Sequence, residues 1–240
     1  MLGAKIIRFP VLPSTNAYLK EHFSALPHGT VVTCDRQTAG KGRFERAWHS
    51  DRDLLMSVLI KENLRLSEIP QLGLISAAAV FETLKKHVPD PLIKWPNDII
   101  VGGKKVAGIL LESIVGAKRL DCLVIGIGIN VNTAAYPESL AKKATSLKLA
   151  TGAERDIEEL RLELIGNLDA FYREFKLGGR RHADICAENS CLIGKEVIFN
   201  DFKTSQKGKV LAILENGNIV IETAGVTAEY NYGEITFLDI

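Results

Sequence analysis

Between Leu92 and Asn130 the chain breaks into short apolar runs separated by turn residues, and this pattern constrains the fold more than any other. The runs are Leu92 to Trp95, Ile99 to Val101, Val106 to Ser113 and Leu120 to Asn130. Gly102-Gly103 and Val115-Gly-Ala-Lys118 are hairpin-like connectors. Consecutive hairpins indicate an antiparallel or mixed sheet, not a doubly wound parallel one. The expected class is therefore α+β, a mixed, largely antiparallel sheet flanked by helices.

The flanking segments fit that class. Lys5 to Phe9 reads as a first strand ended by Pro10 and Pro13. Ser14 then N-caps a helix to about Ala25, with Tyr18, Leu19 and Phe23 for its apolar stripe. Thr30 to Asp35 is a further strand, and the unbroken apolar run Leu54 to Ile60 marks one covered on both faces. Ser67 can cap a long helix through about Val88, turning Leu72, Ile75, Ala79, Val80 and Leu84 to a core. The clearest helix runs from Ile157 to about Lys176. Asp156 caps it, Leu160, Leu164, Leu168 and Phe171 recur at helical spacing, and Gly178-Gly179 stops it. A shorter helix spans about Ala183 to Asn189.

From Gly194 onward the texture changes to short β-type runs: Glu196 to Asn200, Gly208 to Leu214, Asn218 to Thr223 and Glu234 to Leu238. Asn216-Gly217 is a two-residue hairpin signal. The expected division is a domain over residues 1–190 and a small β-barrel over residues 191–240.

With 46% hydrophobic and 25% charged residues the chain has the composition of a globular protein. Its net charge of +1 supplies no global field toward nucleic acid or a membrane, so any attraction for anions must be local. The start lacks the apolar core of a signal peptide. Uncharged runs such as Cys122 to Pro137 are shorter than a bilayer span and contain Gly and Asn. Cys34, Cys122, Cys186 and Cys191 form no C-x-x-C pair; a zinc site at Cys186, Cys191 and His182 is weaker than the reading of small thiols in a reduced cytosol. A soluble, cytoplasmic protein is expected.

Local cation density peaks in Gln37-Thr-Ala-Gly-Lys-Gly-Arg-Phe-Glu-Arg-Ala-Trp48. Gly40 and Gly42 let main-chain N–H groups approach a ligand, and Lys41, Arg43 and Arg46 would repel one another without a shared anion such as a triphosphate. A solvated loop whose cations meet Asp35, Glu45 and Asp51 is the plainer alternative. In Lys94-Trp-Pro-Asn-Asp98, Pro96 fixes a turn past a strand end, where Asp98 can reach Mg²⁺ and Lys94 a phosphate. The same residues also read as a Pro-Asn-Asp turn with a packed Trp95. Lys104-Lys105 leads into a strand containing Gly108, either as an exposed turn or as a cation for a carboxylate or phosphate. Gly126-Ile-Gly-Ile-Asn130 is either a bulged core strand or a floor where backbone meets a flat ring, with Asn130 toward a phosphate or metal. Ser14, Thr15 and Asn16 form a helix cap or a polar ligand's partners. Neither G-x-x-x-x-G-K-[ST] nor G-x-G-x-x-G occurs, which argues against a P-loop NTPase or a dinucleotide dehydrogenase.

Taken together, six motifs in order resemble the biotin protein ligases over nearly the whole chain: Ser14-Thr-Asn16, the 40–48 loop, Lys94 to Asp98, Lys105-Val-Ala-Gly-Ile-Leu-Leu-Glu112, Gly126 to Asn130 and Tyr232-Gly-Glu-Ile235. The resemblance implies a class II synthetase-like biotin/lipoate ligase catalytic domain followed by a small SH3-like barrel. It implies biotin against Ser14, Thr15, Asn16, Gln37, Gly40, Arg43, Lys105, Gly108, Gly126 and Gly128. It implies ATP near Lys41, Gly42, Arg43, Arg46, Trp48, Lys94, Asn97 and Asn130, with Mg²⁺ at Asp98, and Lys105 and Arg43 as the catalytic pair. Biotin would be converted to biotinyl-5′-AMP and passed to a lysine of a biotin carboxyl carrier domain.

Two departures stand out. The family loop usually reads Gly-Arg-Gly-Arg-x-Gly-Arg, so Lys41 replaces an arginine and Glu45 a glycine, and Glu45 is expected to point outward. Ser14 falls almost at the start, leaving no room for a helix-turn-helix domain, so an enzyme-only form without nucleic-acid binding is expected. A lipoate–protein ligase shares the fold and the acyl-adenylate logic. A non-catalytic biotin-sensing regulator is the alternative from another class. Exposed sheet edges would permit a homodimer.

Overall fold

A computed structural model gives the fold, with residues 1–50, 52–62, 64–116, 120–202 and 204–237 described. The main sheet has seven strands: β1 (Ile6–Leu12), β2 (Val31–Gln37), β3 (Leu54–Ile60), β4 (Leu92–Lys94), β5 (Asp98–Val101), β6 (Lys104–Val115) and β7 (Leu120–Ile129). They lie in the order β1-β2-β3-β7-β6-β5-β4, with β1 and β2 parallel and the other neighbours antiparallel. This is the mixed, largely antiparallel sheet that the hairpin run predicts. The β5–β6 turn needs two successive left-handed residues, and Gly102 (φ 56°) and Gly103 (φ 76°) supply them without a Cβ clash. The connector at 115–118 lies partly outside the described residues.

β1 continues through Pro10, where the sequence predicts a stop. It is an edge strand, and its pairing passes from Phe9↔Cys34 to Val11↔Arg36, so the missing Pro10 N–H costs no ladder bond. Among the described residues six α-helices accompany the strands: α1 (Thr15–His22), α2 (Ile69–Leu84), α3 (Glu138–Ala141), α4 (Leu147–Thr151), α5 (Ile157–Lys176) and α6 (Arg181–Glu188). Ser14 Oγ accepts from the Ala17 N–H at 3.4 Å at the start of α1, and Asp156 Oδ1 accepts from Glu158 and Glu159 at 2.7 and 3.1 Å at the start of α5. Ser67 does not cap α2. It sits in a single 3-10 turn, and Pro70 occupies the first turn of the helix, where an N–H is spare anyway.

The sheet has two unlike faces. Along β7, Leu123, Ile125, Ile127 and Ile129 enter the large core beneath α2 and α5, while Cys122 and Val124 pack with Leu19 under α1. Strand periodicity then carries the α1 face on to Gly126, Gly128 and Asn130. All seven residues of β3 are buried, as the continuous apolar run requires. No described helix is long and apolar enough to cross a membrane.

Past α6 a second sheet forms from β8 (Glu196–Asn200), β9 (Ser205–Ile213), β10 (Ile219–Thr223), β11 (Val226–Tyr230) and β12 (Glu234–Phe237). Its order is β11-β10-β9-β8-β12, all antiparallel. The expected barrel is corrected to an open sheet: among the described residues β11 and β12 are opposite edges that do not pair. Val226, Thr227 and Glu229 of β11 are exposed, and of its apolar row only Tyr230 packs against the large core, which leaves little to draw the strand shut. Leu238, expected in the last strand, lies outside the described residues. The inner face, with Val197, Phe199, Val210, Ile219 and Ile235, joins the large core. Trp95 Nε1 donates to Gly217 O at 3.0 Å, seating the Asn216-Gly217 turn against the main sheet.

Candidate active site

On the α1 face the apolar cluster gives way to three glycines. Gly108 on β6 is the direct partner of Gly128 on β7, and Gly126 lies opposite Ser57 on β3. The pairing is regular across both glycines of β7, so they are not a bulge. Side chains are missing here because other groups lie on the backbone. A Cβ at Gly128 would come 2.7 Å from the Trp48 indole, and one at Gly108 would meet Lys105 Cε at 2.8 Å and Trp48 at 2.9 Å. One at Gly126 would strike the Asn16 side chain, whose Cγ would be 2.9 Å away. Above this floor is a cavity of about 320 Å³.

One wall is a buried polar network at the start of α1. Thr15 donates to Gln37 Oε1 from its backbone N at 2.8 Å and its hydroxyl at 3.2 Å. Asn16 Nδ2 donates to Glu112 Oε2 at 2.8 Å, and Lys20 pairs with the other Glu112 oxygen. Ser57 Oγ lies 2.6 Å from Thr15 Oγ1 and 2.5 Å from Asn16 Oδ1. Three strands (β2, β3 and β6) and a helix are therefore tied together by a largely buried polar network, which fixes their orientation.

The opposite wall is cationic. Lys105 Nζ is 2.6 Å from Asp98 Oδ1 and 5.3 Å from the Trp48 ring centroid. Arg43 donates to Asn97 Oδ1 at 3.4 Å and to Gly233 O at 2.8 Å. Burial lowers the pKa of the Arg43 guanidinium against the pull of Glu234 and Asp98, though arginine keeps its charge. Arg46 pairs with Glu234 at 2.6 Å, and Lys94 Nζ is 5.1 Å from the Phe237 ring centroid. The 37–48 loop folds back on itself: Gly42 N–H donates to Arg46 O at 2.7 Å and Trp48 N–H to Gly40 O at 2.9 Å. Glu45 points outward, paired with Lys41, whose pKa that hydrogen bond raises. It stands at φ 58°, left-handed backbone in which glycine, its counterpart in the resembling family, carries no penalty.

Three buried polar atoms of cavity-lining residues have no hydrogen-bond partner among the described residues: Trp48 Nε1, Asn130 Oδ1 and Asp98 Oδ1, the last met only by its ion pair with Lys105. Asn130 Nδ2 donates to Thr145 O at 2.9 Å, so its amide orientation is set and its oxygen is left for something else. Every residue nominated from the sequence lines the cavity except Gly40, which sits beneath the loop against the Gln37 side chain. Sequence reasoning missed Ser57, a lone hydroxyl in an apolar strand. It also missed the segment carrying Tyr136, Leu140, Lys143 and Ala144, which completes the lining. Tyr136 OH donates to Thr145 O at 3.2 Å, and burial raises its pKa. Away from the cavity, Cys186 Sγ donates to Leu74 O at 3.4 Å, and burial pushes its thiol up to about 12.

The profile of the biotin/lipoate A/B protein ligase family matches residues 8–130, from β1 through Asn130. The chain belongs to this family. It is 34% identical over 230 residues to the bifunctional ligase/repressor BirA of Bacillus subtilis, across 93% of this chain and 71% of that protein. It is 27% identical over 221 residues to the biotin–[acetyl-CoA-carboxylase] ligase of Mycobacterium tuberculosis, across 88% and 79%. Among solved structures, the biotin protein ligase from Aquifex aeolicus in complex with biotin and ATP matches with a TM-score of 0.86 at 30% identity, covering 97% of this chain and 98% of that one.

Proposed function

We infer that this chain is a biotin protein ligase that activates biotin with Mg·ATP and passes it to a lysine of a biotin carboxyl carrier domain. One observation carries the reading: a cavity floored by Gly108, Gly126 and Gly128, against which Trp48, Lys105 and Asn16 close, lies under a loop holding Lys41, Arg43 and Arg46, in a chain of this family. In the first half-reaction the biotin carboxylate attacks the α-phosphorus of ATP, forming biotinyl-5′-AMP and releasing pyrophosphate. In the second, the carrier lysine amine attacks the mixed anhydride and AMP leaves. Neither step requires a nucleophile from the protein, so its contribution is alignment and charge stabilisation.

Biotin lies against Ser14, Thr15, Asn16, Gln37 and the floor of Gly108, Gly126 and Gly128. The buried wall supports this, since its donors and acceptors are held rigidly. Lys105 and Arg43 take the carboxylate and the α-phosphate between them. Lys41, Gly42, Arg46, Lys94 and Asn97 line the nucleotide's path, where Trp48 Nε1 and Asn130 Oδ1 await partners. Mg²⁺ bound to the triphosphate would supply charge neutralisation at the phosphate oxygens. A single carboxylate, Asp98, suits it, because magnesium with nucleotides is held by one or two carboxylates plus phosphate oxygens. We also propose that residues 1–190 form the catalytic domain and 191–240 an accessory one, that the enzyme works in the cytoplasm, and that the β1 edge could serve a homodimer.

The family includes lipoate ligases, so the test is pyrophosphate release from Mg·ATP with biotin or lipoate as sole acyl substrate. Release with biotin alone is expected; release with lipoate alone would overturn the assignment. Ligand binding without any pyrophosphate would favour a non-catalytic sensor.

A further inference from the structure

The cationic loop is fastened to the second sheet by rings as well as charges. Phe44 at its tip and Phe202 in the β8–β9 connection meet at 4.8 Å between centroids, and Phe202 stacks on Tyr232 at 6.1 Å and 15°. The guanidinium carbons of Arg43 and Arg46 lie 5.0 and 5.6 Å from the Phe44 centroid. Arg43 also donates to Gly233 O, and Arg46 pairs with Glu234, beside Tyr232 in sequence.

Two features argue that this contact is more than incidental packing. Both phenylalanines hold left-handed backbone, φ 57° at Phe44 and 67° at Phe202, which side-chain-bearing residues adopt at a cost. Both are also about half exposed, at 51% and 49%, so no interior burial explains why either ring is aimed at the other. What the pairing does fix is the ring beneath Arg43, and with it the guanidinium over the cavity.

We propose that Phe202 is a positioning residue for the ligase reaction: through Phe44 it holds Arg43 over the acyl-adenylate and keeps the loop folded down. This rests on the ligase reading and extends it to a residue outside the cavity. The C-terminal sheet then completes the site by clasping its lid.

The test compares Phe202→Ala and Phe202→Tyr with the wild-type chain. Without acceptor, preformed biotinyl-adenylate should leave Phe202→Ala about fivefold faster, the equivalent of about 1 kcal/mol at 1.4 kcal/mol per tenfold and the worth of one aromatic pair. The KM for ATP should rise by a similar factor. Phe202→Tyr, which keeps the ring, should stay within about twofold of wild type. In parallel, ligand-free protein is digested with trypsin, and cleavage after Arg43 and Arg46 should quicken in Phe202→Ala only. Unchanged adenylate release and unchanged cleavage in Phe202→Ala would overturn the clasp, as would a tyrosine variant as defective as alanine. Should the wild-type chain form no adenylate, the ligase reading fails, while the tryptic comparison still decides whether Phe202 holds the loop.

Discussion

Lys105→Ala should nearly abolish adenylate formation while leaving the protein folded. The Lys105 ammonium is 2.6 Å from Asp98 and stands over the Gly108 floor, where the proposed reaction brings the carboxylate and α-phosphate together. A charge about 4 Å from a phosphate, at an effective dielectric of about 20, contributes roughly 4 kcal/mol. Losing it corresponds to about a thousandfold in rate, in line with the 10²–10³ cost of removing one oxyanion donor. Stability should change little, because partly exposed ion pairs contribute only about 0–1 kcal/mol. The assay is single-turnover conversion of labelled ATP and biotin to biotinyl-adenylate, with a thermal melt as control. Lys105→Ala/Asp98→Asn should remain as slow as the single variant, since balancing Asp98 does not replace the lost cation. A single variant within about tenfold of wild type, or a double variant that recovers, would show that Lys105 serves only to pair with Asp98.

Gly126→Ala should weaken biotin binding and lower the melting temperature, because the new methyl meets an Asn16 amide held by Glu112 and Ser57; overpacking of this kind costs about 1–3 kcal/mol, and a biotin titration with a melt measures both. Glu45→Gly should lower the KM for ATP by about threefold to tenfold, since it releases Lys41 and removes a negative charge beside the loop; steady-state kinetics in ATP report it, and an unchanged KM counts against the loop as the phosphate site. Burial keeps the His182 pKa below its ordinary 6.5, outweighing Glu174, Asp184 and Glu215. The unfolded chain therefore takes up a proton that the folded one refuses: stability is full above about pH 6.5 and falls below it, by at most about 1.4 kcal/mol per pH unit. Urea midpoints between pH 7.5 and 5 should show this slope, shallower in His182→Phe.

The sequence was most legible where one physical signal acts alone. β3 and α5 emerge with their expected bounds because an unbroken apolar run and a capped helical stripe leave no competing reading. Boundaries slipped where tertiary context overrides local preference. Pro10 is harmless only because β1 is an edge, and Ser67 loses its capping role to a 3-10 turn. α3 and α4 went unseen because a four- or five-residue helix is too short to show periodicity. β11 was missed for a related reason: Val226, Ala228 and Tyr230 do alternate with Thr227 and Glu229, but five largely exposed residues give too short a pattern to stand out. At the site, residues in glycine–cation motifs could be found from sequence, since their chemistry is unusual at any position. Ser57, Tyr136 and Lys143 could not, because only the folded sheet and the 131–144 segment bring them to the cavity. The Phe44–Phe202 pairing was equally hidden, being a meeting of two exposed aromatics far apart in the chain.

The central claim is most directly tested by the intact mass of a biotin carboxyl carrier domain incubated with this protein, biotin and Mg·ATP. One biotinyl addition on a lysine, absent without ATP and with Lys105→Ala, is the expected result. A carrier whose mass stays unchanged, or one modified only when lipoate replaces biotin, would contradict the account.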